Sequence, residues 1–229
     1  SMGFRGRSFR SRAAVVAALT VVVAAACAPT NGSGGTPTPT PGCDGAEVLC
    51  TRAYDDVAYL TTHNAMASSA YGFLGPNQTL SFTGQLDAGV RGLMIDIWRN
   101  GDSSLPPPDV SNDAILLCHS ACLTGHRDLV AGLREIDTWM AAHPSEVVTL
   151  ILENYVSAAA LDTAFTSSGL AARAATHTLG APWPTLQEMV DSGKRLVVLT
   201  AHRQHLGQAG KRRIIGMIIG YRGEDEPDQ

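Results

Sequence analysis

The sequence predicts an α/β fold of the TIM-barrel type, incomplete, with about five of the eight βα units recognisable. Three observations predict it. Short apolar runs alternate with helical stretches, the pattern of a parallel sheet covered by helices. The longest of these, "VRGLMIDIW" at Val90–Trp98, is apolar on both faces, as a fully buried strand is. And four runs each end in an ionisable side chain: "VAYLTTH" in His63, "VRGLMIDIW" near Asp96, "AILLCH" in His119 and "EVVTLILE" in Glu153. Parallel α/β barrels place their chemistry at the C-terminal ends of their strands.

Taken in order, the first strand is expected at Val57–Thr62, followed by a loop and a helix near Leu80–Ala88 that Gly89 stops. Val90–Trp98 comes next. A Pro-rich loop (Pro106–Pro108) leads to a strand at Ala114–Cys118. The spacing of Leu129, Leu133, Ile136 and Met140 predicts a helix over His126–Ala142, ending before Pro144. A strand at Val147–Leu152 follows, then an Ala-rich helix over Ala158–Ala175, a short helix in "TLQEMVDSG" and a fifth strand at Leu196–Leu199. A closed barrel takes eight strands. The remaining strands would have to come from beyond Thr200, where Ile214–Tyr221 offers one, so the domain at 43–200 reads as C-terminally truncated and 201–229 as an unrecognised tail.

Ahead of the domain, Arg5, Arg7, Arg10 and Arg12 precede an apolar stretch, Ala13–Ala26, that ends "AAAC" at Cys27. Fourteen residues fall short of the roughly 20 that span a bilayer. Residues 1–27 therefore read as a lipoprotein-type signal peptide with Cys27 as the acylated residue. Ala24 stands where such boxes usually carry leucine, which leaves a plain secretory signal open. Residues 28–42, dominated by Gly, Pro and Thr, form a tether with no means of building a core. The expected location is outside the cell, secreted or anchored to the membrane surface through the acyl group.

With Cys27 set aside, four cysteines remain, and local pairs Cys43–Cys50 and Cys118–Cys122 are the economical choice among three connectivities. Four reduced structural cysteines are the alternative. From Ala28 onward the chain carries 13 Lys and Arg against 21 Asp and Glu, so its formal charge is near −8. That argues against a nucleic-acid partner held by phosphate contacts and against general attraction to anionic lipid. A monomer is expected. His126, His143 and His177 read as solvated surface residues, and Trp139 and Trp183 as packing.

With these residues placed, the segments "YLTTHNAM", "TGQLDAGVRGLMIDIW", "LLCHS", "HPSEVVTLILENY" and "RLVVLT" resemble the phosphatidylinositol-specific phospholipase C X-domain superfamily, in particular its secreted PLC-like phosphodiesterase branch. They cover Tyr54–Thr200. The resemblance implies a distorted TIM barrel and cleavage of a phospholipid or inositol phosphodiester by two histidines. His63 would be the general base and His119 the general acid, a pairing suited to side chains that titrate near neutrality. It also implies a way of meeting the phosphate charge. The metal-independent relatives carry an arginine where Trp98 stands, and strand alternation turns the adjacent Arg99 to the other face. The calcium-dependent branch matches at Asn64, Asp96 and Glu153, with Met94 in place of a fourth acid, so Ca²⁺ is the expected cofactor. Asn64 capping a loop and Glu153 pairing with a basic group remain open. So do a different headgroup and a catalytically silent lipoprotein that binds a headgroup or partner.

Overall fold

The computed structural model describes residues 42–202. The segment expected to be a signal peptide, Cys27, most of the expected tether, His205 and the Ile214–Tyr221 stretch lie outside them. Six strands form one mixed sheet: β1 (Thr61–Thr62), β2 (Gly92–Arg99), β3 (Ile115–Leu117), β4 (Arg127–Asp128), β5 (Val148–Asn154) and β6 (Leu196–His202), in the order β4-β3-β2-β5-β6, with β1 also on β2. Four α-helices accompany it: α1 (Phe82–Asp87), α2 (Leu129–Ala142), α3 (Ala158–Ser168) and α4 (Leu186–Ser192). β1, β4 and β6 each pair with a single neighbouring strand among the described residues, so the sheet is open there rather than closed into a barrel.

β2 is the centre. It pairs in parallel with β5 along six residues, from Gly92 opposite Thr149 to Ile97 opposite Asn154, and β5 pairs in parallel with β6. Alternation then divides the sheet into two chemistries. Leu93, Ile95 and Ile97 of β2, with Val148, Leu150 and Leu152 of β5, are fully buried in one core with Leu133, Ile136, Met140 and Phe165 of the helices. Met94, Asp96 and Trp98 point the other way, beside Ile151 and Glu153. The start of that second face is closed by Tyr54, Leu186 and Met189 packed with Val197, and the Tyr54 hydroxyl shares a 2.8 Å hydrogen bond with Thr149.

Three elements depart from the expectations. Only Thr61–Thr62 of the first strand pairs; Tyr54–Asp56 is instead a 3₁₀ turn, and the Tyr59 hydroxyl donates back to the Tyr54 carbonyl. β3 runs antiparallel to β2, Ile97 opposite Leu117 and Arg99 opposite Ile115. The connection between them holds only a 3₁₀ turn at Asn100–Asp102 and no α-helix on which to cross over, and the buried Asn100 side chain ties it to the Pro107 and Val110 carbonyls, so the chain folds straight back. α2 begins at Leu129 rather than His126 because Arg127 and Asp128 pair with β3, and Asp128 caps the helix through the Ala131 N–H. The Ala-rich helix stops at Gly169, whose φ of 89° ends α3 before a 3₁₀ turn at Leu170–Arg173.

β1 and β2 meet where glycine leaves room. A Cβ on Gly92 would lie 2.2 Å from the Thr61 Oγ1 and 2.9 Å from its Cγ2. Because Thr61 is β-branched, no rotamer clears both contacts, so the strands themselves would part. Gly92→Ala is expected to cost about 1–3 kcal/mol in urea denaturation, and to lower any activity that depends on His63, two residues beyond Thr61. Unchanged stability would show that β1 is not fixed by this contact.

The N-terminal segment is held by the Cys43–Cys50 disulfide and by Asp44. The Asp44 carboxylate accepts the Val147 N–H at 2.7 Å and lies 3.5 Å from Arg91, which pairs with Glu146 at 2.6 Å. Burial outweighs the Val147 N–H and Arg91, Glu146 adds to it, and the Asp44 carboxyl is pushed up to about 7. The folded chain therefore holds a proton here that the unfolded chain, with an ordinary aspartate near 3.9, releases earlier. This contribution to stability is complete below about pH 4 and is lost as pH rises through 7. Urea midpoints measured across pH 4–8 should show that loss, and Asp44→Asn should flatten it; equal slopes in both proteins would refute the assignment.

Candidate active site

The second face of the sheet carries the site. Just past β1, Asn64 takes a left-handed conformation (φ 49°) and turns the chain so that the Ala65 N–H donates to the Met94 carbonyl at 2.7 Å. His63 is left exposed on this turn, and its carbonyl accepts from Gln78 at 2.8 Å. Asn64 is buried, its amide donating to the Asn77 side-chain oxygen at 3.3 Å.

Asp96 is buried on β2, and its Oδ2 meets the His119 Nδ1 at 2.8 Å. A carboxylate accepts, so the imidazole donates from Nδ1 and presents Nε2 outward. His119 does not arrive here as a parallel strand end would bring it. β3 runs antiparallel, and the loop beyond Leu117 swings back along β2, where the Cys118 N–H donates to the Asp96 carbonyl at 3.3 Å. The Cys118–Cys122 disulfide closes that loop.

Glu153 stands directly across from Asp96 in the parallel register. Burial raises the Asp96 carboxyl above its ordinary value; the His119 hydrogen bond opposes this, the Glu153 charge adds to it, and the charges of His119 and His63 pull it down. Asp96 thus feels both histidines and the second carboxylate. The Tyr155 hydroxyl donates to Glu153, and its ring stacks on Trp98 at 3.7 Å. Tyr155 is the residue the sequence reading passed over, although it lies two residues beyond Glu153 in "ENY" and period-two spacing puts it on the same side.

Arg99 does turn away, pairing with Asp113 at 3.1 Å and Asp102 at 3.7 Å beside a groove lined by α2 and α3. Met94 sits beside Ile151 as an apolar neighbour of the acids. The other histidines are half-buried rather than solvated: His126 bonds the Cys122 carbonyl, His143 bonds the Trp139 carbonyl and stacks on its indole, and His177 stacks on Trp183. Asp96 and Glu153 are hard oxygen donors whose mutual repulsion a cation would relieve, and in that respect they suit calcium. Among the described residues no three His, Cys, Asp or Glu side chains converge as a ready-made metal cage.

Around His119 the loops form an uncharged rim. The Leu74 N–H bonds the Thr124 carbonyl, the Leu123 N–H bonds the Leu105 carbonyl, and Ser104 bonds the Ser120 carbonyl. Leu74, Leu105 and Leu123 are 75%, 50% and 53% exposed. Segments 72–80, 103–108 and 119–125 contain no Asp, Glu, Lys or Arg.

An open mixed sheet with Asp96 and Glu153 side by side on one face, His119 bonded to the first of them and the charge of His63 felt there, defines the site of this α/β protein. The PI-PLC X family model matches residues 49–211, and the chain belongs to that family. It is 32% identical over 168 residues to PI-PLC X domain-containing protein 1 of Arthroderma benhamiae, covering 68% of this chain and 50% of that one. It is 32% identical over 165 residues to PI-PLC X domain-containing protein At5g67130 of Arabidopsis thaliana, covering 65% and 36%. The chain thus spans half or less of these relatives' length. Among solved structures it resembles a calcium-dependent phosphoinositol-specific phospholipase C from a Pseudomonas species, with a TM-score of 0.50 at 18% identity, over 68% of this chain and 60% of that one. That likeness is one of fold.

Proposed function

We propose that this chain is an exported phosphodiesterase that cleaves phosphatidylinositol or a related inositol phosphodiester by two-histidine acid–base catalysis. The observation that carries the reading is His119 oriented by Asp96 on a PI-PLC X fold, with His63 near enough for its charge to act on the same carboxylate. His63 takes the proton from the inositol hydroxyl next to the phosphate, and that oxygen forms a bond to phosphorus. The bond from phosphorus to the diacylglycerol oxygen breaks, and His119 delivers its Nε2 proton to the departing oxygen. The products are a cyclic inositol phosphate and diacylglycerol. Asp96 fixes the ring and stabilises its charged form. Bound calcium, held by Asn64, Asp96 and Glu153, would offset the charge on the phosphate. Incubating the chain with phosphatidylinositol vesicles and calcium should yield a cyclic phosphodiester by ³¹P NMR. Binding of the headgroup with no turnover would favour a silent receptor instead.

The leucine rim supports a lipid-borne substrate. Apolar side chains on loops without acidic or basic residues suit docking at a membrane interface. The triple variant Leu74→Ser, Leu105→Ser, Leu123→Ser should lose at least tenfold in activity on vesicles, each leucine withdrawing apolar area worth about 25 cal/mol per Å², and little on soluble glycerophosphoinositol. Equal losses on both would remove the interfacial role. Two disulfides fit an oxidising compartment, and acylation of Cys27 would keep the chain at a membrane surface. The mass of the mature N-terminus checks the acyl group.

A further inference from the structure

Two disulfides stand among the described residues, and one of them touches the site. Cys43–Cys50 secures the N-terminal segment. Cys118–Cys122 encloses His119 in a loop of five residues. Both sulfurs of the second bridge are fully buried, whereas the His119 side chain between them is 58% exposed. An exposed side chain just past the last ladder pair of a three-residue strand would ordinarily have wide freedom. Here that freedom is removed step by step. The Ala121 N–H folds back onto the His119 carbonyl at 2.7 Å, and Ser120 is held at φ 64°, which a residue with a Cβ adopts only under local constraint. Ser104 grips the Ser120 carbonyl from the neighbouring loop at 3.0 Å, and its hydroxyl meets the Ser120 hydroxyl at 3.3 Å.

Behind the bridge stands Trp98. It packs in one cluster with Leu116, Cys118 and Cys122, while its other side stacks on Tyr155, the donor to Glu153. Its indole N–H is buried with no hydrogen-bond partner among the described residues. Trp98 therefore acts through its bulk: one side chain backs both the loop that carries His119 and the tyrosine that holds Glu153.

We propose that the Cys118–Cys122 disulfide, braced by Trp98, is a positioning device that aims His119 at Asp96, and that its contribution is to the site rather than to overall stability. The inference rests on the two-histidine reading for its effect on turnover, though not for its effect on the ring. Cys118–Cys122 closes a shorter loop than Cys43–Cys50, sequence separations of 4 and 7. On chain entropy alone the shorter loop stabilises the fold less. The two bridges should therefore separate stability from function.

The test compares C118A/C122A with C43A/C50A in the full chain. C43A/C50A should lower the melting temperature more and leave turnover near wild type. C118A/C122A should lower it less, yet reduce kcat about 10- to 100-fold, the range typical when a group that orients a functional side chain is lost, with KM little changed. Independently of activity, a long-range ¹H–¹⁵N spectrum recorded at a pH alkaline enough for the His119 ring to be neutral should show the proton on Nδ1 in wild type and in C43A/C50A. In C118A/C122A it should show a mixture of tautomers. Wild-type turnover and an unchanged His119 spectrum in C118A/C122A would overturn the proposal, as would activity losses that track melting temperature in both variants. If C118A/C122A does not fold, graded reduction of C43A/C50A decides. Loss of turnover with the far-UV circular dichroism intact, recovered on reoxidation, supports positioning; loss of both together overturns it. If wild type cleaves no phosphodiester, the two-histidine reading fails, and the tautomer comparison still decides the role of the disulfide.

Discussion

Replacing His119 with alanine should lower turnover of a phosphatidylinositol substrate by about 10²–10⁴-fold, the usual worth of a positioned general acid or base. His63→Ala should lose a similar factor. The two losses have different origins. His119 is oriented by a buried carboxylate 2.8 Å away, so its removal withdraws both a proton donor and the group that shares the Asp96 charge. Asp96→Asn is the informative companion, because it keeps the shape but replaces the charged acceptor with a neutral amide whose NH₂ can face the ring and favour the wrong tautomer. It should cost at least what His119→Ala costs, since Asp96 also stands among the expected calcium ligands, and the double variant should be little worse than Asp96→Asn alone, because the histidine no longer has its partner to lose. His63 is exposed and held mainly through its backbone. Its loss should fall on the basic side of the reaction and leave leaving-group dependence intact. Steady-state kinetics on each variant check this, and near-normal turnover without either histidine would remove the mechanism.

Activity should also vanish in excess chelator and return with calcium in preference to magnesium. Two carboxylates, Asp96 and Glu153, face one another across the β2–β5 ladder, and the nearest arginine in sequence, Arg99, is engaged by Asp102 and Asp113 on the opposite side. A phosphodiester brought to this place adds a third negative charge. Oxygen ligands with loose geometry favour calcium over magnesium, which demands a stricter octahedron. Glu153→Gln should raise the calcium concentration needed for half-maximal activity before it abolishes turnover. Calcium titration by isothermal calorimetry gives a readout apart from turnover. Full activity in chelator would show that the phosphate charge is met by other groups.

Much of this arrangement was legible in the residues because burial and period-two alternation write themselves into sequence. Val90–Trp98 and Val147–Leu152 announced their strands, and a shared face for Asp96 and Glu153 followed from their places at the ends of neighbouring strands. Both disulfides could be read from spacing. Strand direction could not. "AILLCH" has the same pattern whether it runs with β2 or against it, and what decides is a connection without an α-helix, pinned by Asn100, a tertiary matter. The first strand was over-read because Val57, Tyr59 and Leu60 are good strand formers, whereas Tyr59 is drawn into packing beside Tyr54. Gly169 marked the end of α3 plainly, but the alanines on either side of it outweighed it.

The two segments that carry the histidines are hung on the same edge of the same strand. Ala65 donates to the carbonyl of Met94 and Cys118 to that of Asp96, two residues further along. The span between those anchor points is therefore one repeat of β-structure, about 6.6–6.8 Å, and no loop sets it. β2 works as a ruler. Insertions in the 72–80 or 103–114 loops leave that backbone spacing untouched, and act only through Gln78 and Ser104, which trim the two histidine segments against it. A single residue inserted between Met94 and Asp96 would shift one mark and turn Asp96 to the helix side, away from His119.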